Sequence, residues 1–414
     1  MITILIGIAA FSAIALALTL VIIGAEARLV RKGSVKITIN DDPEKALTTQ
    51  PGRTLLTALS EQKIFLPSAC GGGGTCGTCK CRVTAGGGDI LPIELNHISR
   101  KMAREGWRLS CQVKVRGDME IKVPEEIFSI QQWECEVLSN RSVATFIKEF
   151  VVRLPEGVNL DFQAGGYIQI EIPAYRAEFA KDMEVREEHF RDEWEKLGIF
   201  GMKVKNPAPC VRAYSMANHP AEGNIIKLNV RIATPPWDPK KKTFSKHPPG
   251  YGSSYIFCRK PGDTVTLSGP YGEFFIQDTD REMVYIGGGA GMAPMRSHLF
   301  HLFHTLKTKR KVSYWYGARS KMEIFYEDEF REIEKKFKNF SFHIALSEPL
   351  PKDRWKGSTG FIHQVVLDEY LSKHPYPEDI EYYLCGPPMM LDAVQKMLYN
   401  LGVEPEMIRF DDFG

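Results

Sequence analysis

Four cysteines near the N-terminal end constrain the fold of this chain more than any other feature. Cys70, Cys76 and Cys79 lie in the run Cys-Gly-Gly-Gly-Gly-Thr-Cys-Gly-Thr-Cys, and Cys111 follows further along the chain. A Cys-x5-Cys-x2-Cys loop with a distant fourth cysteine is close to the spacing that holds a plant-type 2Fe–2S cluster. Zinc ribbons usually pair two Cys-x2-Cys knuckles, whereas Cys111 has no second cysteine two positions away. The spacing therefore favours an iron–sulfur cluster bound by all four cysteines over structural zinc.

The glycines between these cysteines support the same prediction. A loop wrapped around a cluster needs positive φ angles and close backbone approach, and Gly71–Gly74 and Gly77 permit both. Their amide groups can also donate hydrogen bonds to sulfur. Cys81 lies two residues after Cys79 and would face the opposite side of a strand, so we do not expect it to be a ligand.

Length, charge and the remaining cysteines narrow the class of protein. A chain of 414 residues allows two to four domains. Its 53 basic residues nearly balance its 51 acidic ones, so no nucleic-acid-binding surface is expected. The five other cysteines are scattered and odd in number, which fits a reducing cytosol rather than a disulfide framework.

The first residues have a composition of their own. Ile2–Ile23 contains no charged residue, and 22 residues of helix would span about 33 Å, which matches the hydrocarbon core of a bilayer. Arg28, Arg31 and Lys32 follow, whereas a cleaved signal peptide would begin with basic residues and have a shorter apolar run. We therefore expect residues 1–25 to be a single-pass anchor in the cytoplasmic membrane, with the soluble domains on the cytoplasmic side.

Three domains are predicted after the anchor. Residues 34–128 contain the cluster loop, and residues 133–276 contain many short strands that suggest an antiparallel barrel. Residues 282–414 alternate between strand and helix, as in a doubly wound parallel sheet. A charged insertion at about 175–205 interrupts the barrel. It is either a solvated helix with ion pairs or a docking surface for a partner subunit.

A glycine-rich turn marks the start of the last domain. The predicted strand Met283–Ile286 runs directly into Gly-Gly-Gly-Ala-Gly-Met-Ala-Pro, residues Gly287–Pro294. Such a turn between strand and helix lets a pyrophosphate approach backbone amides at the positive end of the helix. It differs from the Gly-x-Gly-x-x-Gly of common dehydrogenases, so its strand–loop–helix setting is what supports a dinucleotide site.

Together with three further segments, this turn resembles the ferredoxin–NAD(P)+ reductase family. The segments are Arg212–Ser215 (Arg-Ala-Tyr-Ser), Gly250–Tyr255 (Gly-Tyr-Gly-Ser-Ser-Tyr) and Leu384–Pro388 (Leu-Cys-Gly-Pro-Pro). The resemblance implies that the arginine binds the FAD pyrophosphate, the tyrosine packs on the flavin and the serine lies near N5. It also implies that the cysteine approaches the nicotinamide. The implied cofactor-binding residues are Arg212, Ala213, Tyr214, Ser215, Gly250, Gly252, Ser253, Ser254, Gly288, Gly289, Gly291, Pro294, Arg319, Glu348, Cys385, Gly386 and Pro387.

Two positions bear on the coenzyme and on catalysis. Members of that family that use NADP have a Ser-Arg pair after the third strand, where this chain has Ser347-Glu348. A carboxylate repels a 2′-phosphate and can accept a hydrogen bond from a free ribose hydroxyl, so NADH is expected. Arg319 could oppose this preference or hold the other phosphates. Phe413 resembles the terminal aromatic residue that stacks on the flavin in relatives, and with Ser215 and Cys385 it completes the implied catalytic set.

The order of segments over all 414 residues resembles that of the F subunits of the sodium-translocating NADH:quinone reductases. The implied fold is multi-domain α+β and α/β, with an N-terminal transmembrane helix, a β-grasp 2Fe–2S ferredoxin domain, an antiparallel β-barrel FAD domain and a doubly wound NADH domain. The resemblance implies hydride transfer from NADH to FAD, then single electrons to the cluster, to partner subunits in the membrane and indirectly to ubiquinone or menaquinone. Nothing in this chain indicates sodium transport by itself.

Two other functions agree with parts of the sequence. The reductase component of a multi-component oxygenase fuses the same three modules, but such components are typically soluble, and the Ile2–Ile23 segment argues against this assignment. A tethered ferredoxin that only carries electrons would leave Arg212–Ser215 and Gly287–Pro294 unexplained.

Overall fold

The structure is a computed structural model that describes residues 2–29 and 33–411. Two compact units make up the chain. The first extends to Leu66 and resumes over Gly72–Ser129, and the second comprises Pro67–Gly71 and the residues from Ile130 onward.

The N-terminal segment forms helix α1 (Ile2–Leu29). Where its side chains are described, large apolar ones such as Phe11, Leu16 and Val21 are exposed. Within residues 2–29 and 33–411, no helix is long and apolar enough to cross a membrane. The transmembrane helix expected from the sequence is therefore not supported as a span.

After α1, the first unit contains a mixed sheet and two short α-helices. Its elements are β1 (Val35–Ile39), β2 (Asp42–Thr49), α2 (Leu55–Glu61), β3 (Lys80–Ala85), α3 (Arg100–Arg104), β4 (Trp107–Leu109) and β5 (Met119–Lys122). The strand order is β2-β1-β5-β3-β4, in which β1 and β5 are parallel and the other neighbours antiparallel. The hydroxyl of Thr54 accepts a hydrogen bond from the Thr57 amide at the start of α2. Leu55 and Leu59 are buried in the same core as the sheet, which fits the expected β-grasp arrangement.

The second unit begins with a barrel. Its elements are β6 (Gln131–Ala144), β7 (Ile147–Arg153), β8 (Tyr167–Ile172), β9 (Tyr175–Glu178), α4 (Phe179–Asp182), α5 (Glu188–Lys196), β10 (Lys203–Asn206), β11 (Cys210–Ser215), β12 (Ile225–Arg231), β13 (Trp237–Asp238), β14 (Thr243–Phe244), α6 (Tyr251–Phe257) and β15 (Thr264–Tyr271). Six strands pair antiparallel in the order β11-β8-β15-β6-β7-β12. A bridge between Met216 and Leu228 joins the two edges, so the predicted antiparallel barrel is closed.

The charged insertion is a small packed layer on the barrel. Strands β9 and β10 pair antiparallel and enclose α4 and α5. Phe190 and Trp194 lie four residues apart on α5 and are buried, while charged residues such as Arg191 and Glu195 pair on the exposed face. The expectation of a solvated helix with ion pairs thus describes only the outer face of the insertion.

The remainder of the second unit is the predicted doubly wound sheet. Its elements are β16 (Met283–Gly288), α7 (Met292–Phe300), β17 (Val312–Ala318), α8 (Glu327–Lys336), β18 (Phe340–Leu346), β19 (Ser358–Thr359), α9 (Ile362–Glu369), β20 (Glu381–Cys385), α10 (Pro388–Asn400) and β21 (Ile408–Asp411). All six strands are parallel, in the order β19-β18-β17-β16-β20-β21. Separate apolar cores cover the two faces. The strand order reverses direction between β16 and β20, which is where such folds bind ligands.

A buried ion pair anchors the loop that precedes β4 in the first unit. The Glu94 side chain is fully buried and accepts hydrogen bonds from Arg108 Nη2 at 2.8 Å and from the Leu91 and Leu109 amides at 2.8 and 2.9 Å. Arg108 Nε also donates to the Glu94 carboxylate at 3.0 Å, and the remaining guanidinium hydrogens bind the carbonyls of Gly87, Gly88 and Asp89 in the same loop. Burial acts to raise the pKa of Glu94, but these donors outweigh it and hold the pKa below its ordinary value.

We predict that Glu94→Gln lowers the free energy of unfolding of the first unit by about 2–3 kcal/mol, because Arg108 stays buried without its counter-charge. The stabilisation is present above the ordinary carboxyl pKa and disappears as pH falls through the lower folded-state pKa, so the loss is full at pH 7 and shrinks in acid. Hydrogen exchange of the Leu109 amide measures it. Equal protection in Glu94→Gln and in a variant of the exposed Glu120, Glu120→Gln, would contradict the prediction.

Candidate functional site

The predicted cluster loop adopts the backbone that its glycines were expected to permit. Gly71, Gly72, Gly74 and Gly77 have positive φ angles, and Gly73 does not. At Gly77 the need is steric as well, because an added Cβ would lie 2.7 Å from the His97 ring. The loop is therefore built from bare backbone, as a wrapped cluster requires.

The four predicted ligands are only partly brought together. Cys79 and Cys111 are buried, and hydrogen bonding to the Cys111 side chain together with burial raises the pKa of the Cys79 thiol well above its ordinary value. Gln112 Nε2 donates to Cys111 Sγ at 3.3 Å, and Cys76 Sγ lies 3.1 Å from the Thr78 hydroxyl. Among residues 2–29 and 33–411, no group of three or more His, Cys, Asp or Glu side chains is arranged to hold a metal ion.

The donor set nevertheless fits a cluster chemically. Thiolates are the ligands of 2Fe–2S clusters, and a bound cluster favours the thiolate form that burial alone opposes. Cys81 belongs to a different core from Cys79 and Cys111, in agreement with the expectation that it faces away.

The two predicted flavin segments pack directly against one another. Arg212, Tyr214 and Ser215 lie on β11, and Gly252 lies in the first turn of α6. A Cβ at Gly252 would lie 2.7 Å from the Tyr214 hydroxyl and 2.8 Å from Arg212 Cγ, so only glycine fits there. Ser253 Oγ accepts from the Ala233 amide at 3.0 Å. This narrow surface of bare backbone beside a guanidinium fits a dinucleotide phosphate.

Ser215 has a partner that the sequence did not reveal. Its hydroxyl donates to Asp411 Oδ2 at 2.7 Å, which fixes the hydroxyl direction. Asp411 lies on β21 directly opposite Cys385 on β20. Ser215 therefore contacts the residue that pairs with Cys385 in the parallel sheet, whereas Phe413 lies outside the described residues.

A cavity of about 510 Å³ opens at the carboxyl ends of the parallel strands. Gly288, Gly289, Arg319 and Pro387 line it, together with the exposed ring of Phe361, which no sequence motif indicated. The size and the mixture of apolar walls with two arginines, Arg231 and Arg319, suit a nucleotide. Bare glycine backbone at the end of β16 fits a close-lying pyrophosphate.

Other predicted residues support this cavity without lining it. Among the described residues, those that line the cavity do not include Gly291, Pro294, Glu348, Cys385 and Gly386. At Gly291 a Cβ would overlap the Cys385 carbonyl oxygen, so this glycine allows the two loops to touch. The Glu348 amide donates to the Arg319 carbonyl at 2.7 Å, which holds the exposed Glu348 next to the cavity rim.

Further residues matter that the sequence gave no signal for. Glu323 lies in the cavity wall with its side chain 4.0 Å from Arg319 Nη2, and Phe146 comes from the turn between β6 and β7. Neither belongs to a motif. Such positions are set by tertiary packing and cannot be found from local spacing.

Models of three protein families match successive parts of the chain. Residues 37–116 match the 2Fe-2S iron-sulfur cluster binding domain, residues 199–276 the oxidoreductase FAD-binding domain, and residues 285–396 the oxidoreductase NAD-binding domain. The predicted cofactors, a 2Fe–2S cluster, FAD and NADH, agree with these matches.

Solved structures share the fold. A cytochrome P450 reductase, GcoB of Amycolatopsis, is 23% identical with a TM-score of 0.62, over 92% of this chain and 98% of that one. A ferredoxin reductase in carbazole 1,9a-dioxygenase is 25% identical with a TM-score of 0.60, over 92% and 99%. At this identity the likeness concerns the fold alone.

Curated relatives are much closer in sequence. The F subunit of the Na(+)-translocating NADH-quinone reductase of Pseudoalteromonas atlantica is 55% identical over 414 residues, 100% of both chains. The protein of the same name from Neisseria gonorrhoeae is 55% identical over 411 residues, 99% of each. With identity of this level along the whole chain, the protein belongs to the family of Na(+)-translocating NADH-quinone reductase F subunits.

Proposed function

We propose that this chain takes electrons from NADH and passes them to partner subunits of a membrane-bound, Na+-translocating NADH:quinone reductase. As a member of this family of F subunits it is a FAD- and 2Fe–2S-dependent NADH oxidoreductase. The observation that carries the proposal is the hydrogen bond from Ser215 on β11 to Asp411 on β21, the strand next to Cys385, because it joins the flavin barrel to the nucleotide sheet.

FAD would be held by β11 and the start of α6. The guanidinium of Arg212 offers two parallel donors to the pyrophosphate, and Tyr214 offers an aromatic face. Gly250, Gly252, Ser253 and Ser254 would leave room for the phosphates. FAD supplies the chemistry of accepting two electrons together and releasing them one at a time.

NADH would enter the 510 Å³ cavity. Gly288 and Gly289 would face its pyrophosphate, and Arg319 would neutralise that charge. Glu348 beside the rim disfavours a 2′-phosphate and so favours NADH over NADPH. Cys385 is fully buried at the end of β20 and does not line this cavity, so it would lie behind the nicotinamide end rather than form its wall.

Asp411 is assigned the role of orienting Ser215. Because the serine proton lies on Oγ and is donated to Asp411 Oδ2, the hydroxyl lone pairs face away from that carboxylate. The hydroxyl would then face a bound flavin without rotating, and the same contact holds β21 against the barrel.

We predict that Asp411→Asn lowers kcat for NADH oxidation by about tenfold and changes the KM for NADH less than twofold, because a neutral amide accepts the serine hydrogen more weakly than the carboxylate and its NH2 group can donate instead, while the coenzyme contacts are unchanged. Steady-state assays of the purified full chain with ferricyanide measure both constants. Asp192→Asn, at an exposed position on α5, is the control. An unchanged kcat in Asp411→Asn would refute the role.

The four cysteines Cys70, Cys76, Cys79 and Cys111 are proposed to hold the cluster from which electrons leave the chain. The support is their spacing, the bare-backbone loop and the buried thiols of Cys79 and Cys111. The cluster would be the last cofactor before a partner subunit.

We predict that Cys76→Ala removes the electron paramagnetic resonance signal of the reduced cluster while NADH still bleaches the flavin absorbance. Cys81→Ala is the matched control, because it removes a thiol from a neighbouring core and should keep the signal. Loss of both the signal and flavin reduction in Cys76→Ala would contradict independent cofactor sites.

We also propose that α1 attaches the chain to the cytoplasmic membrane, with the cofactor domains on the cytoplasmic side. The support comes from the sequence, with no charge in Ile2–Ile23 and basic residues after it, and from exposed apolar side chains along α1. The quinone would be reached through partner subunits in the membrane.

Deleting residues 1–29 should release the chain from membranes and leave NADH–ferricyanide activity within twofold, because the cofactor sites lie in other parts of the chain. Sedimentation of washed membranes measures attachment. Activity that disappears with α1, although FAD stays bound, would contradict a role limited to attachment.

A single pass through the membrane further requires that a cysteine placed before Ile2 reacts with a membrane-impermeant reagent in intact cells.

The alternative function, the reductase of a multi-component oxygenase, is supported by the solved structures of similar fold. Those likenesses are at 23% and 25% identity, whereas the curated F-subunit relatives are 55% identical over the full chain. The alternative therefore remains the weaker one.

A further inference from the structure

Trp194 connects the insertion between β8 and β11 to the turn that lines the cavity. Trp194 on α5 is fully buried, and its Nε1–H donates to the Thr145 carbonyl at 2.6 Å. Its ring lies 6.5 Å from Phe146 and 5.8 Å from Phe257, measured between ring centroids. The aromatic contacts and the hydrogen bond together give this side chain a single orientation.

The acceptor lies in a tight turn. Ala144 and Ile147 pair across β6 and β7, so Thr145 and Phe146 form the two-residue connection. Phe146 and Ile147 line the 510 Å³ cavity. Trp194 of the insertion therefore contacts one side of this turn, and the other side of the turn forms part of the cavity wall.

The same turn holds a carboxylate in the cavity wall. The Thr145 hydroxyl donates to Glu323 Oε1 at 2.8 Å, and Glu323 Oε1 lies 4.0 Å from Arg319 Nη2. The Tyr316 hydroxyl donates to the Glu323 carbonyl at 3.0 Å, which fixes the backbone of this residue from β17. Glu323 therefore connects the barrel turn to the arginine at the cavity.

Burial and surrounding charges explain why this carboxylate needs its donor. Burial raises the pKa of Glu323, and the negative charge of Glu193 in the insertion raises it further. The hydrogen bond from the Thr145 hydroxyl and the positive charges of Arg319 and Arg231 act in the opposite direction. A largely buried carboxylate that lost the hydroxyl would lose its hydrogen bond to the β6–β7 turn.

We propose that Trp194 is a positioning residue for the coenzyme. By fixing the β6–β7 turn through the Thr145 carbonyl, it fixes Phe146, and through the Thr145 hydroxyl it fixes the Glu323 carboxylate beside Arg319. This gives the inward face of the charged insertion a function in coenzyme binding. The inference rests on the proposed assignment of the cavity to NADH.

The first test is Trp194→Phe in the full chain, which keeps an aromatic ring and removes the donor. We expect the dissociation constant of ADP-ribose, measured by titration calorimetry, to rise about threefold to tenfold, because one buried hydrogen bond is lost at a distance from the ligand. The KM for NADH should rise by a similar factor and kcat should stay within twofold.

Trp315→Phe is the matched control. Trp315 is also buried and donates its indole hydrogen within the protein, to Ser313 Oγ at 3.0 Å, but it belongs to the core on the α9 and α10 face of the sheet and does not line the cavity. All constants should stay within twofold. If Trp194→Phe affects ADP-ribose binding no more than Trp315→Phe, the inference is wrong.

Thr145→Val tests the connection without changing the tryptophan. It removes the hydroxyl and keeps the carbonyl, so ADP-ribose binding should weaken about threefold with an unchanged FAD content.

Arg319→Ala distinguishes a wrong assignment of the cavity to NADH from a wrong positioning role of Trp194. Unchanged ADP-ribose binding in Arg319→Ala would overturn the assignment of the cavity. Weakened binding there, with no effect of Trp194→Phe or Thr145→Val, would overturn only the positioning role.

Discussion

The ends of β16 and β20 lie so close together that only bare backbone fits between them. The Cβ of any other residue at position 291 would overlap the Cys385 carbonyl oxygen, and one at position 288 would come within 3.2 Å of the Gly317 carbonyl oxygen. Three parallel strands can therefore present their carboxyl ends, and the amides that follow them, to a single ligand. The cavity, the placement of Cys385 and the contact from Asp411 to Ser215 all depend on this close packing.

The barrel and the parallel sheet are joined behind the site by a buried arginine. Arg296 on α7 donates to the Ala217 carbonyl at 2.9 Å and to Glu222 at 2.6 Å, both beyond the end of β11, and to Glu329 on α8 at 2.7 Å. A buried charge is tolerated only when it is paired and hydrogen-bonded, and here the partners come from both modules. The surfaces that would hold flavin and coenzyme are therefore fixed relative to one another by polar contacts as well as by apolar packing.

Much of this could be predicted from the sequence, and the remainder has identifiable physical reasons. Motifs with a required backbone, such as Arg212–Ser215 and Gly287–Pro294, were found because their chemistry is local. Strand β6 runs from Gln131 to Ala144, much longer than the short strands expected in this domain, because its pairing with β7 continues through polar residues. Asp411 and Glu323 could not be found, since each acts through a contact with a residue more than 150 positions away in the chain.

Gly291 also limits how this part of the sequence can change with time. Every single-base change of a glycine codon that still encodes a different amino acid adds at least one carbon atom to the side chain. At Gly291 that carbon would meet the backbone of the neighbouring strand, which has no rotamer to move, whereas at Gly201 it would meet open space. Substitutions are therefore not tolerated at Gly291, where the two strands meet, but are tolerated at Gly201 on the outer face of the insertion. Descendants of this chain can diversify that outer face while keeping the nucleotide turn unchanged.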